Sequence, residues 1–176
     1  MAEIDWLRIQ RAWTQMVVPS KAKGAHAQVF FQAVILDASI RTYIGSLQYN
    51  PSAGDGLTDV ARNIAAARSV AHEAALFIKF ARAFINRSQR TNLSVLLDQF
   101  QLDHPHITDV RDAFSHLDER VTREDTEPPS PLFRTQPFVL ASRTKLGNEV
   151  EMKIDASLIN SALNVLLALS REYQSR

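Results

Sequence analysis

Between Leu57 and Asp125 the chain contains no glycine. Glycine inside a helix costs about 1 kcal/mol relative to alanine, so a run free of it, interrupted by the single proline Pro105, predicts long helices. The spacing agrees. From Leu57 to about Asn86, the residues Val60, Ile64, Ala67, Ala71, Ala74, Ile78, Ala81 and Ile85 recur at threes and fours, the period of one helix face. Four of the eight are alanine, and small residues let helix axes approach closely. Ser94–Phe100 reads as a short helix. Asp103-His104-Pro105 closes it, and a further helix is predicted from about His106 to Arg123.

Upstream, Ile4–Val18 carries Trp6, Ile9, Trp13 and Met16 at helical spacing and stops at Pro19. Ala25–Leu47 does the same with Val29, Ala33, Leu36, Ile40, Tyr43 and Leu47. Asn50–Gly56 is a loop by its turn chemistry. Downstream the period changes. Val150, Met152 and Ile154 alternate with Glu149, Glu151 and Lys153, the pattern of a strand with one wet face. Phe138–Lys145 reads as its partner, with Gly147-Asn148 as a two-residue turn. Asp155 is placed to cap a final helix striped by Leu158, Ala162, Val165 or Leu166, and Leu169. The expected fold is mainly α: an up-and-down bundle of four or five helices with a C-terminal β-hairpin and final helix. It is divided as a helical bundle over 1–125, a Pro-rich linker over 126–137, and a hairpin plus helix over 138–176 packed on the bundle as one domain.

Composition excludes several classes. There is no cysteine, so disulfides, thiolate metal sites and a cysteine nucleophile are ruled out. The 20 Lys+Arg nearly balance the 19 Asp+Glu, which argues against a basic nucleic-acid tail or an acidic disordered chain. The N-terminus lacks a secretory pattern and no apolar run is long enough to span a bilayer. A cytoplasmic protein without membrane association is expected. No Gly-rich phosphate loop or Gly-x-Ser-x-Gly occurs, and no Glu-x-x-His or His-x-x-x-His pair suggests a metal; no cofactor is expected.

One segment carries chemistry. Ile107, Val110, Ala113, Phe114, Leu117 and Val121 collect on one face of the predicted helix. Arg111 and His116 fall about 140° apart, at opposite edges of the polar face, with Asp112, Ser115 and Glu119 between them. Asp112 and His116 are spaced to meet. A carboxylate one turn before an imidazole orients the ring and favours its charged form, and a guanidinium holds a phosphate bidentately. These are the parts of a metal-free phosphodiester-cleaving site: His116 as acid or base toward a ribose 2′-hydroxyl, Arg111 stabilising phosphoryl charge, Asp112 as orienter. One helix supplies each group once; two copies across a two-fold axis supply both twice.

Arg111-Asp112-x-x-x-His116 on a late helix of an all-helical chain resembles the HEPN superfamily, over roughly residues 4–125. The resemblance implies a four- or five-helix bundle and a homodimer. It also implies a composite endoribonuclease site that needs no metal, as in toxins of toxin–antitoxin or defence systems, with RNA as substrate and a separate antitoxin or partner protein. Other members of the superfamily are inactive binding modules. A non-catalytic interaction or scaffold module and a small-ligand-binding bundle therefore stand as alternatives.

The remaining features have plainer readings. Arg111, Asp112 and His116 could form ordinary surface pairs. His72 reads as a helix side chain near Arg68. His104 and His106 read as loop residues, with His106 and Asp109 helping to start the motif helix. Trp6, Trp13, Phe30, Phe31, Phe77, Phe80 and Phe84 read as core aromatics. Lys79, Arg82, Arg87 and Arg90 read as a basic helix end that complements the macrodipole, or as a phosphate-tracking patch.

Overall fold

The computed structural model describes residues 25–48, 56–88, 91–115, 134–136, 139–144 and 147–174. Within them lie the helices α1 (Ala25–Gln48), α2 (Gly56–Ser88), α3 (Thr91–Asp103) and α4 (Ile107–Ser115), the strands β1 (Arg134–Gln136), β2 (Val139–Arg143) and β3 (Glu149–Lys153), and the helix α5 (Ala156–Gln174). The described chain is mainly helical with a small antiparallel sheet. The segment Ile4–Val18 and the reach from His116 to Arg123 lie outside the described residues, so the motif helix is described only to Ser115.

Contacts divide the chain into two compact units that interleave in sequence. The first takes the chain to Asp37, Leu76–His104, and the chain from Asp155. Here α3 packs on α5. Its core includes Leu93, Leu97 and Phe100 from α3 and Leu158, Leu163, Leu166 and Leu169 from α5. Phe77 meets Phe100 edge to face, centroids 5.8 Å apart, the arrangement aromatic quadrupoles favour. Asp155 caps α5 as its sequence predicts. Its Oδ1 accepts the Ser157 main-chain N–H at 2.9 Å and the Ser157 hydroxyl at 2.6 Å, meeting one of the donors a helix start leaves open.

The second unit takes Ala38–Ala75 and Pro105–Ile154. Its three strands run in the order β1-β2-β3, antiparallel throughout, and α4 packs against β2 and β3. β3 alternates as expected: Val150 and Met152 are buried while Glu149, Glu151 and Lys153 are exposed. β2 does not alternate. Leu140, Ala141 and Ser142 are all buried, so both faces of the strand are covered.

Three expectations are corrected. The segment 126–137 is not wholly a linker, because Arg134–Gln136 pairs with β2, Arg134 opposite Ala141. The hairpin does not turn on Gly147-Asn148 alone. Arg143 pairs with Glu149, and the Thr144 N–H donates to the Asn148 carbonyl at 2.8 Å, so three residues separate the last pair. Gly147 sits at φ +83°, the left-handed position that closes a three-residue hairpin loop. The stripe on α2 is offset: Val60 is 49% exposed, whereas Ala66, Val70 and Phe77, which the pattern omits, are buried. The buried arc is thus centred to one side of the predicted line, and Val60, one turn from the helix start at Gly56, lies toward its edge.

Candidate functional site

The site helix α4 begins where the chain leaves Pro105. The Val110 N–H donates to the His106 carbonyl at 2.9 Å, making the first helical turn. His106 Nδ1 lies 3.2 Å from Asp109 Oδ2, and Asp109 is an acidic side chain in the first turn, where it complements the helix dipole. Both act at the helix start, as read from sequence. The buried face of α4 consists of Ile107, Val110, Ala113 and Phe114. Burial of these four is what holds the helix on the sheet.

Arg111 and Asp112 lie at the rim of that face, each partly exposed. Arg111 Nε is 2.8 Å from Asp112 Oδ1. Adjacent helical residues do not face each other, so the guanidinium bends around the helix to reach its neighbour. The pair is close but poorly directed: Nε is buried and makes no aligned hydrogen bond. The Ser115 hydroxyl donates to the Arg111 carbonyl at 3.0 Å. The structure thus brings Arg111 and Asp112 together. His116, the third candidate, lies outside the described residues.

Sequence reasoning missed two placements, one in each unit. The Arg68 guanidinium, from α2, stands 5.0 Å from the centroid of the Phe114 ring, a cation–π distance. Phe114 is one turn beyond Arg111. Arg68 and Phe114 are far apart in sequence, so no periodicity could announce the contact. The second is His104, read as a loop residue and found only 8% exposed. Its main-chain N–H donates to the Phe100 carbonyl at 3.1 Å, and its ring lies against Phe100, centroids 5.2 Å apart. Nε2 is buried without a hydrogen-bond partner. Burial pushes the imidazole below its usual pKa, against the opposing pull of the Asp103 and Asp155 charges and the Ser157 main chain. Burial also acts to raise Asp155. The Ser157 hydroxyl, the Ser157 and Leu158 main chain and the His104 charge outweigh it, and the carboxyl ends below its ordinary range.

The basic end of α2 is partly consumed. Arg82 donates to Asp98 at 2.6 Å, to Ser94 at 3.3 Å and to Gln101. The Arg82 hydrogen bond, followed by that of Ser94, holds the Asp98 carboxyl below its usual pKa. Lys79 and Arg87 are exposed, and Arg90 lies outside the described residues. Among the expected core aromatics, Phe77 is buried, Phe30, Phe80 and Phe84 are half-buried, and Phe31 is 59% exposed. Phe31 is a correction: two residues from both Val29 and Ala33, it falls about 160–200° from their line, on the opposite face of α1. Trp6 and Trp13 lie outside the described residues. Among the described residues no three His, Asp or Glu side chains form a group able to hold a metal ion. No helix among them is long and apolar enough to cross a membrane. Compared with models of known families, with characterised proteins and with solved structures, the chain matches none.

Proposed function

We propose that the chain is a HEPN-like homodimeric endoribonuclease that works without a metal, with Arg111 as phosphate stabiliser, His116 as acid or base and Asp112 as the carboxylate that braces the site. The supporting observation is the division of labour on α4. Ile107, Val110, Ala113 and Phe114 are buried, yet Arg111 and Asp112 keep part of their surface. A guanidinium so placed is anchored by its stem and reachable by a phosphodiester. In the proposed reaction the ribose 2′-hydroxyl attacks the adjacent phosphorus as its proton passes to a base. The 5′-oxygen leaves and takes up a proton, and a 2′,3′-cyclic phosphate remains. The substrate supplies the nucleophile, so DNA is not cut.

The test is incubation with structured and single-stranded RNA in EDTA, wild type beside His116→Ala and Arg111→Ala. Cleavage in EDTA, lost about a hundredfold or more in the histidine variant, supports the reading. Metal-dependent cleavage, cleavage of DNA, or full activity in His116→Ala refutes it. One observation favours a second reading, a binding module of the same fold. Asp112 lies against Arg111, and a carboxylate there offsets the charge a phosphate would meet. A folded dimer that cuts no RNA selects that alternative.

A further inference from the structure

We propose that Arg68 is a second phosphate-binding residue of the Arg111 site, extending the RNA-contacting surface from α4 onto α2; the proposal rests on the RNA reading above. The arginines of the described residues are held in different ways. Arg62 pairs with Asp59 at 3.2 Å, Arg82 with Asp98 at 2.6 Å, and Arg111 with Asp112 at 2.8 Å. Arg68 has no ion-pair partner among the described residues. It is fixed by the face of an aromatic ring, 5.0 Å from the Phe114 centroid.

The difference matters for ligand binding. A carboxylate offsets part of a guanidinium's charge and occupies the donors it touches, which at Arg111 is Nε, the inner nitrogen. A ring face holds the cation from above or below, leaving the in-plane N–H fork open to an oxyanion. The ring in question is one turn from Arg111, so both guanidiniums belong to the same end of α4. Exposure on α2 fits this role. Ala61, Ala65, Arg68 and Ser69 are exposed while Ala66, Ala67, Val70 and Ala71 are buried, so Arg68 leads the solvent-facing side of the helix. His72, one turn further on, is also exposed and adds an imidazole to the same face. Successive phosphates along a single strand are the ligand that two charged groups on neighbouring helices suit.

The experiment measures binding of a fluorescein-labelled 2′-O-methyl RNA, which cannot cleave itself, by anisotropy across a salt series. Proteins compared are wild type, Arg68→Ala, Arg68→Lys, Arg111→Ala and Arg171→Ala, the last an exposed arginine on α5. Each phosphate contact contributes close to 0.9 to the slope of log K against log salt. Arg68→Ala is therefore expected to reduce that slope by about one and to weaken binding about eightfold near 0.1 M salt. Arg68→Lys should restore the slope but not the full affinity, because the fork and the stack are gone. Arg171→Ala should match wild type. Circular dichroism checks folding, and Arg68→Gln replaces the alanine variant if that one unfolds. A salt slope is not moved by loss of packing alone. Wild-type affinity and slope in Arg68→Ala, with both reduced in Arg111→Ala, overturns the role of Arg68 and leaves the RNA reading standing. No binding by folded wild type at low salt overturns both.

Discussion

Replacing His104 by leucine should stabilise the first unit and remove an acid-sensitive component of its stability. The wild-type ring is 8% exposed, and its Nε2 is buried without a partner. An unsatisfied buried polar atom costs about 1–3 kcal/mol. Leucine is close to histidine in volume and suits the Phe100 contact, so at pH 8 the variant should be between equal and about 2 kcal/mol more stable. The pH dependence is the sharper part. The folded pKa lies below the ordinary value of 6.5, so the unfolded chain takes up a proton before the folded one does. Stability is full above 6.5 and declines as pH falls through the window between the two pKa values. One proton sets a ceiling of about 1.4 kcal/mol per pH unit on the slope in that window. Asp103 and Asp155, which face the ring, keep the actual slope below that ceiling. Urea unfolding followed by circular dichroism at about pH 8, 7, 6 and 5 gives the comparison. The gap between variant and wild type should widen below pH 6.5. Parallel curves for the two proteins across that range would refute the assignment of a buried, proton-excluding imidazole.

Other substitutions follow from the same packing. Asp155→Ala removes the α5 cap and should cost about 1 kcal/mol in urea unfolding at neutral pH, with Asp155→Asn retaining most of the stability. Because the folded carboxyl of Asp155 lies below its ordinary 3.8, wild type should lose this contribution as pH falls under that value, and the asparagine variant should not. Phe100→Ala opens a hole under Phe77 and His104 and should cost about 3–5 kcal/mol, measured by the same unfolding. Gly147→Ala must adopt φ +83° and should lose about 1–2 kcal/mol, with Gly147→Asn milder; equal melting temperatures for all three would contradict the turn.

Where one element buries one face by itself, the sequence shows it. Val29, Ala33, Leu36, Ile40 and Tyr43 of α1 are all buried, and β3 alternates as written. The stripe on α2 was legible in period but not in phase, because the partners of the helix also bury Ala66, Val70 and Phe77, to one side of the predicted line. β1 was hidden because three residues carry too little pattern to outweigh the prolines before them. At the site, the α4 face and the His106–Asp109 start were readable from spacing within a single helix. The Arg111–Asp112 pair was not, since adjacent helical residues point about 100° apart. Nor were Arg68 over Phe114 or the burial of His104, which depend on residues distant in the chain.

The packing of α3 on α5 has a consequence for how the chain reaches this state. The partners are separated by the interval from Asp103 to Ala156, 53 residues apart, which contains α4 and the sheet. Joining the ends of a segment that long carries an entropic cost of roughly 3.5 kcal/mol beyond a constant. During synthesis α3 emerges well before the helix that covers Leu97 and Phe100, so its apolar side waits for the far end of the polypeptide. Assembly of the first unit is thus a late, non-local event, of the kind that slows folding. The strand pairs β1–β2 and β2–β3 join nearer neighbours, and their pairing does not have to wait for α5 to reach α3.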